Sequence, residues 1–134
     1  MSDIRWQQSL TSLGDALERL NEALSEPLDK NDFMLDATIQ RFEFSVELFW
    51  KTLKHLLASK GRKVNLPKEI LQEAYASGWL DNESLWIEML RDRNQTSHTY
   101  RHELALEIYQ RIKHYYPAMR KTYRFLYQHF SEGS

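Results

Sequence analysis

The sequence predicts an all-α fold: a bundle of about five helices of the up-and-down four-helix type. Three observations carry this. Apolar residues recur at intervals of three and four along most of the chain, the period of a helix with one buried face. Glycine and proline number only four and three in 134 residues, too few for the turns of a small β-barrel or sandwich. Aromatic residues make up 13% of the chain, four Trp and seven Tyr among them; rings of that size bury large areas and suit a solid core or an interface.

The first helix is marked by Leu10, Leu13, Leu17, Leu20 and Leu24. Its end is expected at Ser25-Glu26-Pro27, because proline disfavours helix in the residue before it. The second starts near Asp32, a plausible N-cap, and runs to about Ser59 with Leu35, Ile39, Phe42, Val46, Phe49, Trp50, Leu53, Leu56 and Leu57 inward. Lys60-Gly61-Arg62 supplies the glycine and basic residues of a helix end. Pro67 opens a short third helix that reaches about Ser77, with Gly78 just beyond. A fourth, capped by Asp81 or Asn82, carries Leu85, Trp86, Met89 and Leu90 and reaches Arg93. The fifth places Leu104, Ala105, Ile108 and Ile112 inward. Pro117 is expected to kink it or to start a new helix bearing Met119, Tyr123, Leu126 and Phe130. Only Glu132-Gly133-Ser134 reads as a loose tail.

A chain of 134 residues is the size of one ordinary domain, so residues 1–134 are read as one unit. With no cysteine, disulfides, zinc ribbons and thiol nucleophiles are excluded. No apolar run approaches the ~20 residues of a membrane span, and the start, Met1 to Gln8, lacks the apolar stretch of a signal peptide. A cytoplasmic location is expected.

The net charge of −1 excludes a uniformly basic nucleic-acid coat. The charge is nevertheless uneven. Arg101, Arg111, Lys113, Arg120, Lys121 and Arg124 face only Glu103 and Glu107, whereas Asp3, Asp15, Glu18, Glu22, Glu26, Asp29, Asp32 and Asp36 dominate the start. A basic last helix suits an anion such as RNA or a nucleotide. Charge alone favours the plainer reading, a solvated face that pairs with the acidic start.

One stretch is dense in polar functional groups and has no apolar stripe: Arg93-Asn94-Gln95-Thr96-Ser97-His98-Thr99-Tyr100. Arginine offers a permanent charge and a planar fork of donors suited to phosphate. Histidine takes and gives a proton near neutral pH. Tyrosine adds a hydroxyl that serves as donor, nucleophile or modification target. Together they are competent for phosphodiester chemistry without a metal. His98 would deprotonate a ribose 2′-hydroxyl or protonate the leaving oxygen, and Arg93 would stabilise charge building on phosphorus. Taken without other signals, an arginine and a histidine in a polar turn are more often a hydrogen-bonded turn than a site.

Arg93, Asn94, His98 and Tyr100 match the Arg-x4-6-His motif of HEPN proteins in its Arg-x4-His-x-Tyr form. The runs Gln40–Lys54 and Trp86–Asn94 also resemble one branch of that superfamily, the nucleotidyltransferase substrate-binding proteins, which are encoded beside a minimal nucleotidyltransferase. The similarity extends from the first helix to the last, and three matching segments in order are far more specific than the short motif. The resemblance implies a single HEPN-like helical domain that forms a homodimer with both motifs facing one cleft. It implies a toxin that cuts RNA without metal or cofactor, leaving a cyclic phosphate, neutralised by its nucleotidyltransferase partner through transfer of AMP to the motif tyrosine. Carried over, Arg93 and His98 are catalytic, Tyr100 is the modified position and Asn94 supports the arginine.

Two carboxylates one turn apart, Glu43 and Glu47, fall inside the family-like run. Either could hold Arg93 across the bundle, or form a solvated pair near Arg41 and Lys51. His98 and His102 have helical metal-ligand spacing, but residue 106 is Leu, so no metal site is expected. Trp50 and Trp86 read as core or interface. Of Tyr109, Tyr115, Tyr116, Tyr123 and Tyr127, most read as core or dimer contacts, with one or two able to stack on bases. Three functions follow in order: a ribonuclease toxin; a non-catalytic subunit presenting a nucleotide or other substrate to the nucleotidyltransferase; and a purely structural dimerisation module, which leaves the polar cluster without a purpose.

Overall fold

The computed structural model describes residues 4–132, with side chains from 5 to 131; Met1–Asp3, Gly133 and Ser134 lie outside the described residues, and Glu132, expected in the loose tail, is the last residue of the final helix. Helix α1 (Ile4–Ser25) buries Trp6, Leu10, Leu13, Leu17, Leu20 and Ala23. Leu24, the last of the expected stripe, is only partly buried. A short connection turns the chain into α2 (Phe33–Ser59), the central helix, which buries every expected apolar position but the partly exposed Trp50. Each fully buried leucine or phenylalanine contributes about 1.5–3 kcal/mol, so this double row sets the bundle's axis.

Asp32 occupies the N-cap position of α2 without capping it. It adopts φ 59°, ψ 17°, the left-handed region, and makes no side-chain cap bond. Asp29 serves instead, its Oδ1 accepting from Met34 N at 3.2 Å, while the Asp32 carboxylate lies 3.2 Å from His102 Nδ1. The C-terminus of α2 closes as expected. Gly61, at φ 82°, donates to Ala58 O at 2.9 Å, and Arg62 donates to Leu57 O at 2.9 Å, a Schellman pair that needs glycine's freedom at the left-handed residue. Helix α3 (Pro67–Ala76) ends the same way on Gly78 and Trp79.

Helix α4 (Glu83–Gln95) is capped by Asn82, whose Oδ1 accepts from Leu85 N at 3.2 Å. It runs two residues past Arg93, then tightens into a 3₁₀ turn over Thr96–His98. Helix α5 (His102–Glu132) continues through Pro117, so no new helix starts there. Pro117 is exposed and so is Lys113, whose carbonyl loses its helical donor and can be solvated instead. Ile112, Tyr115 and Met119 hold both sides of the proline in the core.

The described residues contain five α-helices and no strand. Trp6 against Phe130 (5.8 Å between ring centroids) and Arg120 beside Glu18 (3.7 Å) run α5 antiparallel to α1. His102 against Asp32 and Lys60 over Phe130 run it parallel to α2. Phe49 meets Trp86 edge-on at 4.6 Å and Glu43 meets Thr96, so α4 descends antiparallel to α2. Where α1 and α5 cross, Gly14 makes room for Tyr123: a Cβ there would fall 2.5 Å from the Tyr123 hydroxyl, and the ring would have to shift. Among the described residues, no helix is long and apolar enough to cross a membrane.

Candidate active site at the end of helix α4

The polar segment 93–100 begins as the last turn of α4 and ends in the turn before α5. Arg93 points toward α2, where its Nη2 ion-pairs with Glu47 Oε1. Both side chains are about a quarter exposed, at 26% and 27%, so the pair is screened less than a surface salt bridge. Lys51, one turn along α2, has its Nζ 3.8 Å from the other Glu47 oxygen. Glu43 does not meet Arg93. It lies instead against the hydroxyl of buried Thr96, whose Oγ1 is also 2.7 Å from the Arg93 carbonyl. Thr99 Oγ1 donates to Thr96 O at 2.8 Å, so the two threonines fasten the 3₁₀ turn that carries His98.

His98 is exposed, with its ring 6.3 Å from that of Tyr100, which is 82% exposed. Asn94 faces solvent and joins none of these contacts. The structure therefore brings Arg93, Glu47 and Lys51 together, ties Glu43 to the same turn through Thr96, and leaves His98 and Tyr100 open one turn further on. Arg93, Glu43, Glu47 and Lys51 also line one end of an open groove of about 860 Å³ between α1 and α2, with Phe44, Gln40 and Arg19 along it. Among the described residues, no group of three or more His, Cys, Asp or Glu could hold a metal ion.

A second polar cluster backs this one, and the sequence reading did not single it out. The carboxylate of Asp92, a residue only 6% exposed, accepts from Arg111 Nε at 2.7 Å, Arg111 Nη2 at 2.9 Å and the Tyr115 hydroxyl at 2.5 Å. Burial and the bond to Asp92 push the Tyr115 phenol well above its ordinary range. The hydrogen bond to Asp92 raises Arg111 further. One signal was available: Asp92 continues the spacing of Trp86 and Met89, placing an acid on a buried stripe. The basic face of α5 is also largely spoken for, Arg111 by Asp92, Arg120 by Glu18 and Lys121 by Asp81 at 2.6 Å.

A family model described as "Nucleotidyltransferase substrate binding protein like" matches residues 8–128. The chain belongs to this family. It is the HEPN-like branch that the three sequence segments resemble. The chain is also 34% identical, over 94 residues, to the "Probable ribonuclease HepT" of Haemophilus influenzae, a match covering 65% of this chain and 63% of that relative's length. A crystal structure of a protein from Thermus thermophilus superimposes with a TM-score of 0.75 at 33% identity, covering 82% of this chain and 94% of the other. The all-helical bundle is thus also the fold of a related protein with an independently determined structure.

Proposed function

We propose that this chain is a HEPN ribonuclease toxin in which Arg93 and His98 cleave RNA without a metal. One observation carries the reading. A charged donor fork, held by Glu47 at the edge of a groove, is followed one turn on by an open imidazole, and hydrogen bonds through Thr96 and Thr99 tie the two turns together. The relative described as a probable ribonuclease and the family membership support it.

In this reading the 2′-oxygen of the substrate attacks phosphorus, the bond to the 5′-oxygen breaks, and a 2′,3′-cyclic phosphate remains. His98 moves a proton at the attacking or leaving oxygen. Arg93 meets the charge on the phosphoryl oxygens with the donors that Glu47 leaves unused. The scheme needs a proton taken and a proton given; a homodimer with its motifs across one cleft supplies a second histidine. A partner nucleotidyltransferase that placed AMP on exposed Tyr100, beside the His98 ring, would set a phosphate and a base in the mouth of the site and silence it.

A second reading, a non-catalytic subunit that presents a nucleotide to the nucleotidyltransferase, draws on the family description and on a groove large enough for a nucleotide. Expression of the wild type, Arg93→Ala and His98→Ala, each alone, separates the two. Growth arrest with RNA cleavage that both substitutions abolish is the expected result. Intact RNA in all three, from folded and unmodified protein, overturns the ribonuclease and leaves the presenting subunit.

A further inference from the structure

We propose that Asp92, Arg111 and Tyr115 are positioning residues that aim Arg93 at its site. The composition of α4 is the first ground for this. Beyond Leu90 the helix has no apolar residue; Arg91, Asp92, Arg93, Asn94 and Gln95 complete it. The last turn therefore has no hydrophobic anchor of its own and is oriented by polar ties.

Successive residues of a helix point about 100° apart, and this turn uses that angle. Asp92 reaches α5 and Arg93 reaches α2. The α2 side is a single ion pair plus the Thr96 contact to Glu43. On the α5 side, two parallel bonds from the Arg111 fork and a third from Tyr115 hold one buried carboxylate. A bidentate fork fixes direction as well as distance. Buried ion pairs often add little net stability over apolar packing, whereas registry is a better attested role for them. Turning α4 by a small angle would break the Asp92 contacts and swing Arg93 off Glu47 together.

Arg93 also carries its own reporter. Its Nε–H is sealed from solvent and has no hydrogen-bond acceptor among the described residues, so the exchange of that proton with water reads how firmly the side chain is held. The positioning claim can be measured there, without any assay of cleavage; its catalytic meaning rests on the ribonuclease reading above.

The test compares full-length wild type with Tyr115→Phe, which keeps the ring and loses the hydroxyl, and with Arg111→Lys, which keeps the charge and loses the fork. Asn82→Ala is the control, since it removes the cap at the opposite end of α4. Nitrogen-15 spectra of the arginine side chains are expected to show Arg93 Nε–H exchanging about tenfold faster in the first two variants and unchanged in the control. At a temperature where all four are folded, RNA cleavage is expected to lose about tenfold in kcat with KM nearly constant, because a small misplacement of a charged group costs rate before binding. Unchanged Arg93 exchange in both Tyr115→Phe and Arg111→Lys overturns the proposal. So does an equal change in Asn82→Ala, which would mean that any loosening of α4 suffices. If the wild type cuts no RNA, the ribonuclease reading fails, and the exchange rates still decide the positioning.

Discussion

Arg93 of α4 and Glu47 of α2 form an ion pair across the bundle, half-buried and flanked by Lys51. Because the two helices run antiparallel and carry no covalent link near this point, the pair joins the polar segment to the central helix. Glu47→Gln keeps the shape and removes the charge. Its cost in stability is expected to be small, about 1 kcal/mol by urea denaturation. RNA cleavage is expected to fall far more than stability, while Lys51→Ala leaves it near the wild-type rate.

Asp92 is the more consequential acid for folding. Asp92→Ala leaves the Arg111 guanidinium and the Tyr115 hydroxyl without their common acceptor. Removing one partner of a buried pair costs about 3–5 kcal/mol, and the 39% exposure of the Arg111 side chain moves the expectation to the lower end. Urea unfolding monitored by circular dichroism should register a loss of about 3 kcal/mol.

Tyr115 makes stability sensitive to alkali in a defined direction. The fold raises the pKa of its phenol, first by burial and then through the bond to Asp92, so the neutral form is favoured when folded. The contribution is complete below the unfolded tyrosine value of about 10 and is lost as pH rises above it, because the unfolded chain gives up the proton first. Burial acts in the same sense on Tyr116 and Tyr123. Tyr115→Phe should lower stability at pH 7 by about 1–3 kcal/mol. It should also flatten the decline above pH 10 by up to about 1.4 kcal/mol per pH unit, measured as unfolding free energy against pH.

Gly14 gives a test of packing against propensity. In an open helix Gly→Ala gains about 1 kcal/mol. Here the new methyl would meet the Tyr123 hydroxyl at 2.5 Å and its ring carbon at 3.0 Å. Gly14→Ala is expected to destabilise by about 1–3 kcal/mol. In a Tyr123→Phe background the penalty should shrink, and a double-mutant cycle by thermal unfolding reads the difference.

Most of the helix plan was legible because one-dimensional signals specify it: the leucine stripe of α1, the unbroken apolar row of α2, Pro67, and the glycines at 61 and 78. What was illegible concerns relations between helices. Periodicity assigns faces but not inter-helix register, so nothing in the sequence placed Asp92 opposite residues 19 and 23 positions later. Nor could it separate Glu43 from Glu47, which share a face one turn apart and yet meet Thr96 and Arg93 respectively. At Asp32 the residue type suited a cap, but Asp29 competes for the same amide and leaves Asp32 to His102. Pro117 read as a kink or a new start because its local cost was visible and the packing on either side was not.

That proline divides α5 in a way that matters beyond helix geometry. Its missing amide leaves one rung out of the backbone ladder, between a first half bound to α4 through Asp92 and a second half bound to α1 and Trp79 through Phe130. Amide exchange along α5 is therefore expected to show a step in protection at residue 117, the half that faces the turn carrying Arg93 and His98 being the slower to exchange.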